Sequence, residues 1–215
     1  MKEKNILIIE DHPIVRKGFS MLINQDDELQ TIGEAGDYHS ALAMVRKTKA
    51  DLILLDLSLG DGNGIELIKE VKVINPALPV LVVSLHDENL YAERTLKAGA
   101  RGYIMKSEAT ENILTAIKKI INGEVYLSDG MKDKLINRVA GTDREGSSPM
   151  DILSDREFEV FQFIGDGRTT KEIAEILNLS VKTVETYKSH IKSKLEIKDS
   201  TDLIRRAVEW KVADS

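Results

Sequence analysis

Five side chains in this 215-residue chain have the types and positions to handle a phosphoryl group. Asp56 ends the apolar run Leu52, Ile53, Leu54, Leu55. Glu10 and Asp11 follow Asn5 to Ile9 (NILII), Ser84 follows Val80 to Val83 (VLVV), and Lys106 follows Gly102 to Met105 (GYIM). A carboxylate at the end of a buried run is costly unless it is paired, hydrogen-bonded or at the edge of a cleft. Three clustered acids, in a chain without cysteine, form a set of hard oxygen donors, with a hydroxyl and a lysine beside them. Such a set suits Mg²⁺, which keeps several waters and takes one or two carboxylates plus a phosphate. Asp11 and Asp56 can ligate the ion directly, and Glu10 directly or through water. A carboxylate can also attack phosphorus and form an aspartyl phosphate, with Lys106 and the Ser84 hydroxyl stabilising the phosphoryl oxygens. Taken alone, Asp56 also reads as a simple cap on its strand or on the turn that follows.

These residues need elements to bring them together. The apolar runs around them, with Leu29 to Ala35, read as five strands. Between and after them the spacing predicts helices. The first is opened by His12-Pro13, with Ile14, Val15, Phe19, Leu22 and Ile23 on one face. The others span Ser40 to Thr48 with Leu42, Met44 and Val45 as the apolar set, Ile65 to Ile74, Leu90 to Ala98, and Ala109 to Ile121. Strands alternating with helices imply parallel strands joined by right-handed crossovers. Five strands favour the flavodoxin-like doubly wound order, whose switch point lies between the first and third strands. That order sets Glu10, Asp11 and Asp56 at one crevice, with Ser84 and Lys106 on neighbouring strand ends. The Gly60 to Gly64 loop lacks dinucleotide-fingerprint spacing. His12 and His86 lie near the same edge in surface or supporting roles.

Composition narrows the function. The net charge is −6, shared as 23 acids against 19 bases up to Met150 and 13 against 11 beyond it, so a nucleic-acid footprint must be local. The lack of cysteine excludes a disulfide framework and a cysteine nucleophile and fits a reducing compartment. No run approaches a membrane span or a signal peptide, so the expected location is the cytoplasm, with no membrane partner.

Past Glu124 the strands stop. Residues 124–150 read as a linker with a possible short helix at Met131 to Val139 and a polar stretch at Gly141 to Pro149. Ser154 and Glu157 then form a capping box before Phe158, Phe161 and Ile164. Thr170 to Leu177 is a short amphipathic helix, Asn178-Leu179 a turn, and Val181 to Leu195 a longer helix capped by Ser180. Its core positions are Val184, Tyr187, Ile191 and Leu195. Ser200 to Trp210 gives a fourth helix. The middle pair reads as a helix-turn-helix. From Lys182 to Lys198, five lysines stand against two glutamates, which suits phosphate contacts beside a groove. By charge alone the better reading is the solvated face of a small helical bundle.

Two resemblances follow from the ordered motifs. Glu10-Asp11, Asp56, Ser84 and Lys106 resemble the receiver domain of bacterial two-component response regulators, over Asn5 to about Asn122. This implies that Asp56 accepts phosphate from a sensor histidine kinase. It also implies that Glu10, Asp11 and Asp56 hold Mg²⁺ together with the Ser58 backbone carbonyl. Ser84 would turn toward the phosphoryl group, Lys106 pair with it, and Tyr103 act as the switch aromatic. Leu153-Ser154, Arg156-Glu157, Gly167, Lys171 to Ala174, Leu179-Ser180, Thr183-Val184 and Lys194-Leu195 resemble the LuxR-type domain of the NarL/FixJ regulators. This implies that Val181 to Leu195 enters the major groove of double-stranded DNA. Glu185, Thr186 and Ser189 would face base edges. Lys182, Lys188 and Lys192 would be near phosphates or bases, beside Thr183 of the matching motif. The expected architecture is a receiver (1–123), a linker (124–150) and an all-α helix-turn-helix domain (151–215). It would be a homodimer when phosphorylated, with RNA polymerase as a possible further partner. The rival reading is a Mg²⁺-dependent phosphohydrolase with an aspartyl intermediate, whose usual Asp-x-Asp is lacking at the first strand.

Overall fold

Apolar runs too short for helices pair side by side in the computed structural model, which describes residues 3–59, 62–140 and 152–213. In chain order the first unit contains β1 (Lys4–Ile9), α1 (Pro13–Ile23), β2 (Leu29–Ala35), α2 (Tyr38–Lys47), β3 (Leu52–Leu55), β4 (Ser58–Leu59) and β5 (Gly62–Asn63). It continues with α3 (Gly64–Ile74), β6 (Val80–Ser84), α4 (Glu88–Ala98), β7 (Gly102–Met105), α5 (Lys106–Ile121) and α6 (Asp129–Val139). The five longer strands form one parallel sheet in the order β2-β1-β3-β6-β7. This is the flavodoxin-like order, and the chain reverses direction across the sheet between β1 and β3. Ile6 to Ile9, Leu52 to Leu55 and Val80 to Val83 are essentially inaccessible, as strands covered on both faces require.

The helices depart from the sequence reading in instructive ways. Of the expected α1 face, Phe19 and Ile23 are buried and Val15 and Leu22 pack partly buried against the core, but Ile14 is 87% exposed and Ser20 is buried as well. Ile14 stands in the first turn, directly after Pro13. In α2 the buried positions are Ala41 and Val45, with Leu42 and Met44 only half-buried. Asp37 caps that helix through Ser40 N–H, which starts it at Tyr38 rather than Ser40. Asp87 likewise starts α4 at Glu88. Helix α5 begins at Lys106 with no loop after β7, three residues before the expected Ala109. The short β4–β5 hairpin was not expected; it flanks residues 60 and 61, the two positions of the glycine loop that lie outside the described residues.

Residues 124–127 are more than a linker. Tyr103 N–H donates to Tyr126 O at 2.9 Å and Tyr126 N–H to Arg101 O at 3.1 Å, so this segment runs along the β7 edge. Leu127 and Met131 are buried behind it, and α6 starts two residues earlier than expected. The polar stretch Gly141 to Pro149 lies outside the described residues.

The chain divides into two compact units, 1–143 and 144–215. The second holds α7 (Asp155–Gly165), α8 (Thr170–Ile176), α9 (Val181–Lys194) and α10 (Ser200–Ala213). Phe158, Phe161, Ile164, Ile173, Val184, Ile191, Leu203 and Ala207 form its centre. The rings of Phe158 and Phe161 lie 5.5 and 5.8 Å from that of Trp210, which anchors α10. Tyr187 is half-buried rather than a core residue. No described helix is long and apolar enough to cross a membrane.

Candidate functional site

The carboxyl ends of β1, β3, β6 and β7 supply the first site. Glu10 follows β1, and Asp56 follows β3 with its backbone N–H on Ile9 O at 2.9 Å, so the sheet itself fixes both acids. Lys106, the first residue of α5, bridges them. Its Nζ lies 2.8 Å from Asp56 Oδ2 and 2.8 and 3.0 Å from the two Glu10 oxygens. The Glu10 and Asp56 side chains are 2% exposed and that of Lys106 10%. Burial, helped by the nearby Glu10 and opposed by Lys106, pushes the Asp56 carboxyl up to about 6. Burial alone would lower the Lys106 ammonium, but Asp56 and Glu10 hold it above its usual value.

Asp11 completes the acid cluster, and His12 joins it with Nδ1 2.6 Å from Asp11 Oδ1. Ligand atoms of Glu10, Asp11, His12 and Asp56 all fall within 4.8 Å of one another. Asp56 Oδ1 is buried with no hydrogen-bond partner among the described residues. Three carboxylates against one lysine, with an unpartnered buried oxygen, fit a small hard cation that retains water. The Asn63 side chain accepts from Ile65 and Glu66 N–H and so fixes the start of α3. Gly64 lets that turn approach: a Cβ there would lie 2.6 Å from Leu57 Cα.

The expected switch residues meet each other rather than Asp56. The Ser84 hydroxyl is fully buried and accepts from His86 N–H at 3.2 Å. Tyr103 is buried, and its hydroxyl donates to His86 O at 2.8 Å. Burial raises the Tyr103 phenol far above its ordinary value. The His86 imidazole stacks on Tyr91 with ring centroids 4.5 Å apart and lies 3.2 Å from the Ser58 hydroxyl. Burial, with Lys106 nearby, pushes that imidazole down. His86 thus joins the loop after Asp56, the Ser84 hydroxyl, Tyr103 and α4. Sequence reasoning gave it only a supporting place, because nothing local signals a contact across 28 residues.

The second site is the outer face of α9. Ser180 caps the helix through Thr183 N–H at 3.0 Å. Val184 and Ile191 are buried, which turns Lys182, Glu185, Thr186 and Ser189 outward on one exposed strip. Thr183 and Lys192 are half-buried beside it. Lys188 is not free: its Nζ donates to Glu185 Oε1 and to Thr170 Oγ1, both at 2.9 Å. The turn before α9 uses Asn178 at φ 52°, a left-handed conformation that asparagine tolerates. Behind α9, Glu157 is 4% exposed and couples its capping box to Lys194 Nζ at 2.6 Å.

A doubly wound sheet with acids, a hydroxyl and a lysine converging at its switch point, followed by a helix-turn-helix unit, defines a response regulator with a DNA-binding output. Comparison with known proteins agrees. Residues 6–118 match the response regulator receiver domain, and residues 151–207 match the bacterial regulatory proteins of the luxR family. The oxygen regulatory protein NreC of Staphylococcus haemolyticus is 34% identical over 214 residues, covering 97% of this chain and 99% of that one. NreC of Staphylococcus carnosus is 35% identical over 215 residues with the same coverage. The RcsB response regulator of Salmonella typhimurium, in a study of conformational dynamism for DNA interaction, superposes with a TM-score of 0.68 at 25% identity. The match covers 97% of this chain and 98% of that one. RcsB of Salmonella enterica serovar Typhimurium bound to promoter rprA with a phosphomimetic BeF₃⁻ gives 0.63 at 25% identity, covering 95% and 98%. This chain belongs to the response regulators that join a receiver to a LuxR-family DNA-binding domain. The phosphohydrolase reading is not favoured.

Proposed function

We propose that Asp56 is the phosphoacceptor of a transcription regulator and that its modification controls binding of α9 to DNA. The observation that carries the reading is the buried pairing of Lys106 with both Asp56 and Glu10, which leaves Asp56 Oδ1 free. The donor is a phosphohistidine of a sensor kinase. An Asp56 oxygen forms the O–P bond as the P–N bond breaks, and the imidazole nitrogen is left to take up a proton. Lys106 holds the carboxylate in line and stays beside the phosphoryl oxygens. Glu10, Asp11 and Asp56, with the Ser58 carbonyl, would hold Mg²⁺, whose charge offsets that of the phosphoryl group when bound. His12, on Asp11, orients that carboxylate from the outside.

Phosphorylation adds charge and acceptor oxygens at the crevice. Ser84 then exchanges its His86 bond for the phosphoryl group, and Tyr103 loses the partner carbonyl that holds it. The change reaches α4 and the β7 edge, the face from which α6 leads away. The outcome is a homodimer that sets two α9 helices on paired half-sites of double-stranded DNA in the cytoplasm. Lys182, Thr183, Thr186, Ser189 and Lys192 contact the duplex, Lys182 and Lys192 by phosphate neutralisation. RNA polymerase is a further partner of the bound dimer. The test is labelling of the full chain by acetyl phosphate with Mg²⁺, beside Asp56→Ala. Label on the wild type alone supports the reading, and equal label on both removes Asp56 as acceptor. Sustained turnover of phosphate esters would instead restore the hydrolase reading.

A further inference from the structure

Glu185 is an acid in the middle of a surface that must approach phosphates. An acid there repels DNA unless its charge is compensated or its oxygens do a specific task. The structure provides the first condition and leaves an oxygen available for the second. The Thr170 hydroxyl, on the first residue of α8, donates to Glu185 Oε1 at 2.8 Å. Lys188 Nζ donates to the same oxygen at 2.9 Å and to Thr170 Oγ1 at 2.9 Å, closing a three-membered network between α8 and α9. The Lys188 side chain is only 18% exposed, so its charge is spent inside the unit. The Glu185 side chain is 53% exposed. Its hydrogen bonds fall on Oε1, and Oε2 takes none among the described residues. The Lys188 and Thr170 bonds also keep the carboxyl below its ordinary value, so it stays ionised.

We propose that Thr170, Glu185 and Lys188 form a base-reading unit in which Glu185 Oε2 accepts the N4 amine of a cytosine in the major groove. Thr170 acts through Glu185 as a positioning residue. The inference rests on the proposal that α9 enters that groove. Cytosine is favoured because it offers an N4 donor there. Guanine presents only acceptors and thymine an acceptor and a methyl group, while adenine sets an N7 acceptor beside its amine. A freely rotating glutamate would read this poorly, since it must order its side chain on binding. Fixing Oε1 on two donors aims Oε2 before the DNA arrives. Lys188 makes the acid tolerable by balancing its charge.

The experiment is selection from randomised DNA by the full-length, acetyl phosphate-treated protein, in wild-type, Glu185→Gln, Thr170→Val and Thr170→Ser forms. The wild type is expected to select C·G at one position of each half-site, with on the order of ten-fold preference over the other pairs. Glu185→Gln should move that position toward adenine, which an amide reads through N6 and N7. Thr170→Val should flatten the preference there only, and Thr170→Ser should keep it. Circular dichroism of each variant confirms the fold; both sites are on the helix surface, so the variants remain testable. An unchanged preference in Glu185→Gln overturns the proposal while leaving DNA binding intact. Failure of the wild type to select any DNA overturns the DNA-binding reading, and this inference with it.

Discussion

Replacing Asp56 by Asn removes a charge that the fold holds at a cost. Its carboxyl sits at about 6 in the folded protein against 3.8 for the exposed group. Because the folded value is raised, the ionised form destabilises the receiver above pH 6. The penalty is relieved as pH falls through the folded value and is gone below the unfolded one. Linkage over these two values gives a penalty of about 3 kcal/mol at pH 8 and about half that at pH 5. Asparagine keeps the shape and leaves Lys106 paired with Glu10. Asp56→Asn should therefore raise the melting temperature of the receiver transition at pH 8. A full 3 kcal/mol corresponds to a shift on the order of 10 °C for a unit of this size, less whatever the lost Lys106 bond contributes. Calorimetric scans of the full chain at pH 8 and pH 5 measure both values. A gain that is larger at pH 5 than at pH 8, or a loss at pH 8, would refute the reasoning.

Adding Mg²⁺ should raise that same transition in the wild type and far less in Asp56→Asn, by the linkage of binding to stability; equal shifts would mean the ion binds elsewhere. Gly64→Ala would push a Cβ to 2.6 Å from Leu57 Cα. It should cost about 1–3 kcal/mol in denaturant unfolding and slow labelling of Asp56 as its loop shifts. In the second unit, burial would raise the Glu157 carboxyl, but Lys194 and the Ser154 capping bonds outweigh it and hold it below its ordinary value. Its stabilisation is complete above the unfolded value near 4.5 and is lost as pH falls through the lower folded value. Glu157→Gln should destabilise the unit by about 1–3 kcal/mol at pH 7 and by progressively less toward pH 3, read from Trp210 fluorescence.

The acids and Lys106 could be read from sequence because each ends an apolar run, and strand ends in a doubly wound sheet fall at one edge. The Ser154–Glu157 capping box was legible because its partners are three residues apart. Ile14 misled because helical spacing names a face without saying how much of that face its neighbours cover. The contact of His86 with Ser58 and that of Lys188 with Thr170 were invisible for a different reason. Each joins residues 28 or 18 apart through tertiary placement, and no periodicity encodes the approach of two polar tips. The docking of Tyr126 on the β7 edge escaped because a backbone pairing outside any strand leaves no side-chain pattern.

The most direct measurement is to trap the acyl phosphate formed with acetyl phosphate and Mg²⁺ by borohydride reduction, then locate the modified residue by peptide mass spectrometry. A single modification at Asp56, absent when Lys106 is changed to Ala or much reduced, is the expected result. Modification at Glu10 or Asp11 instead, or none in a folded wild-type protein that a phosphohistidine donor also fails to label, would contradict it.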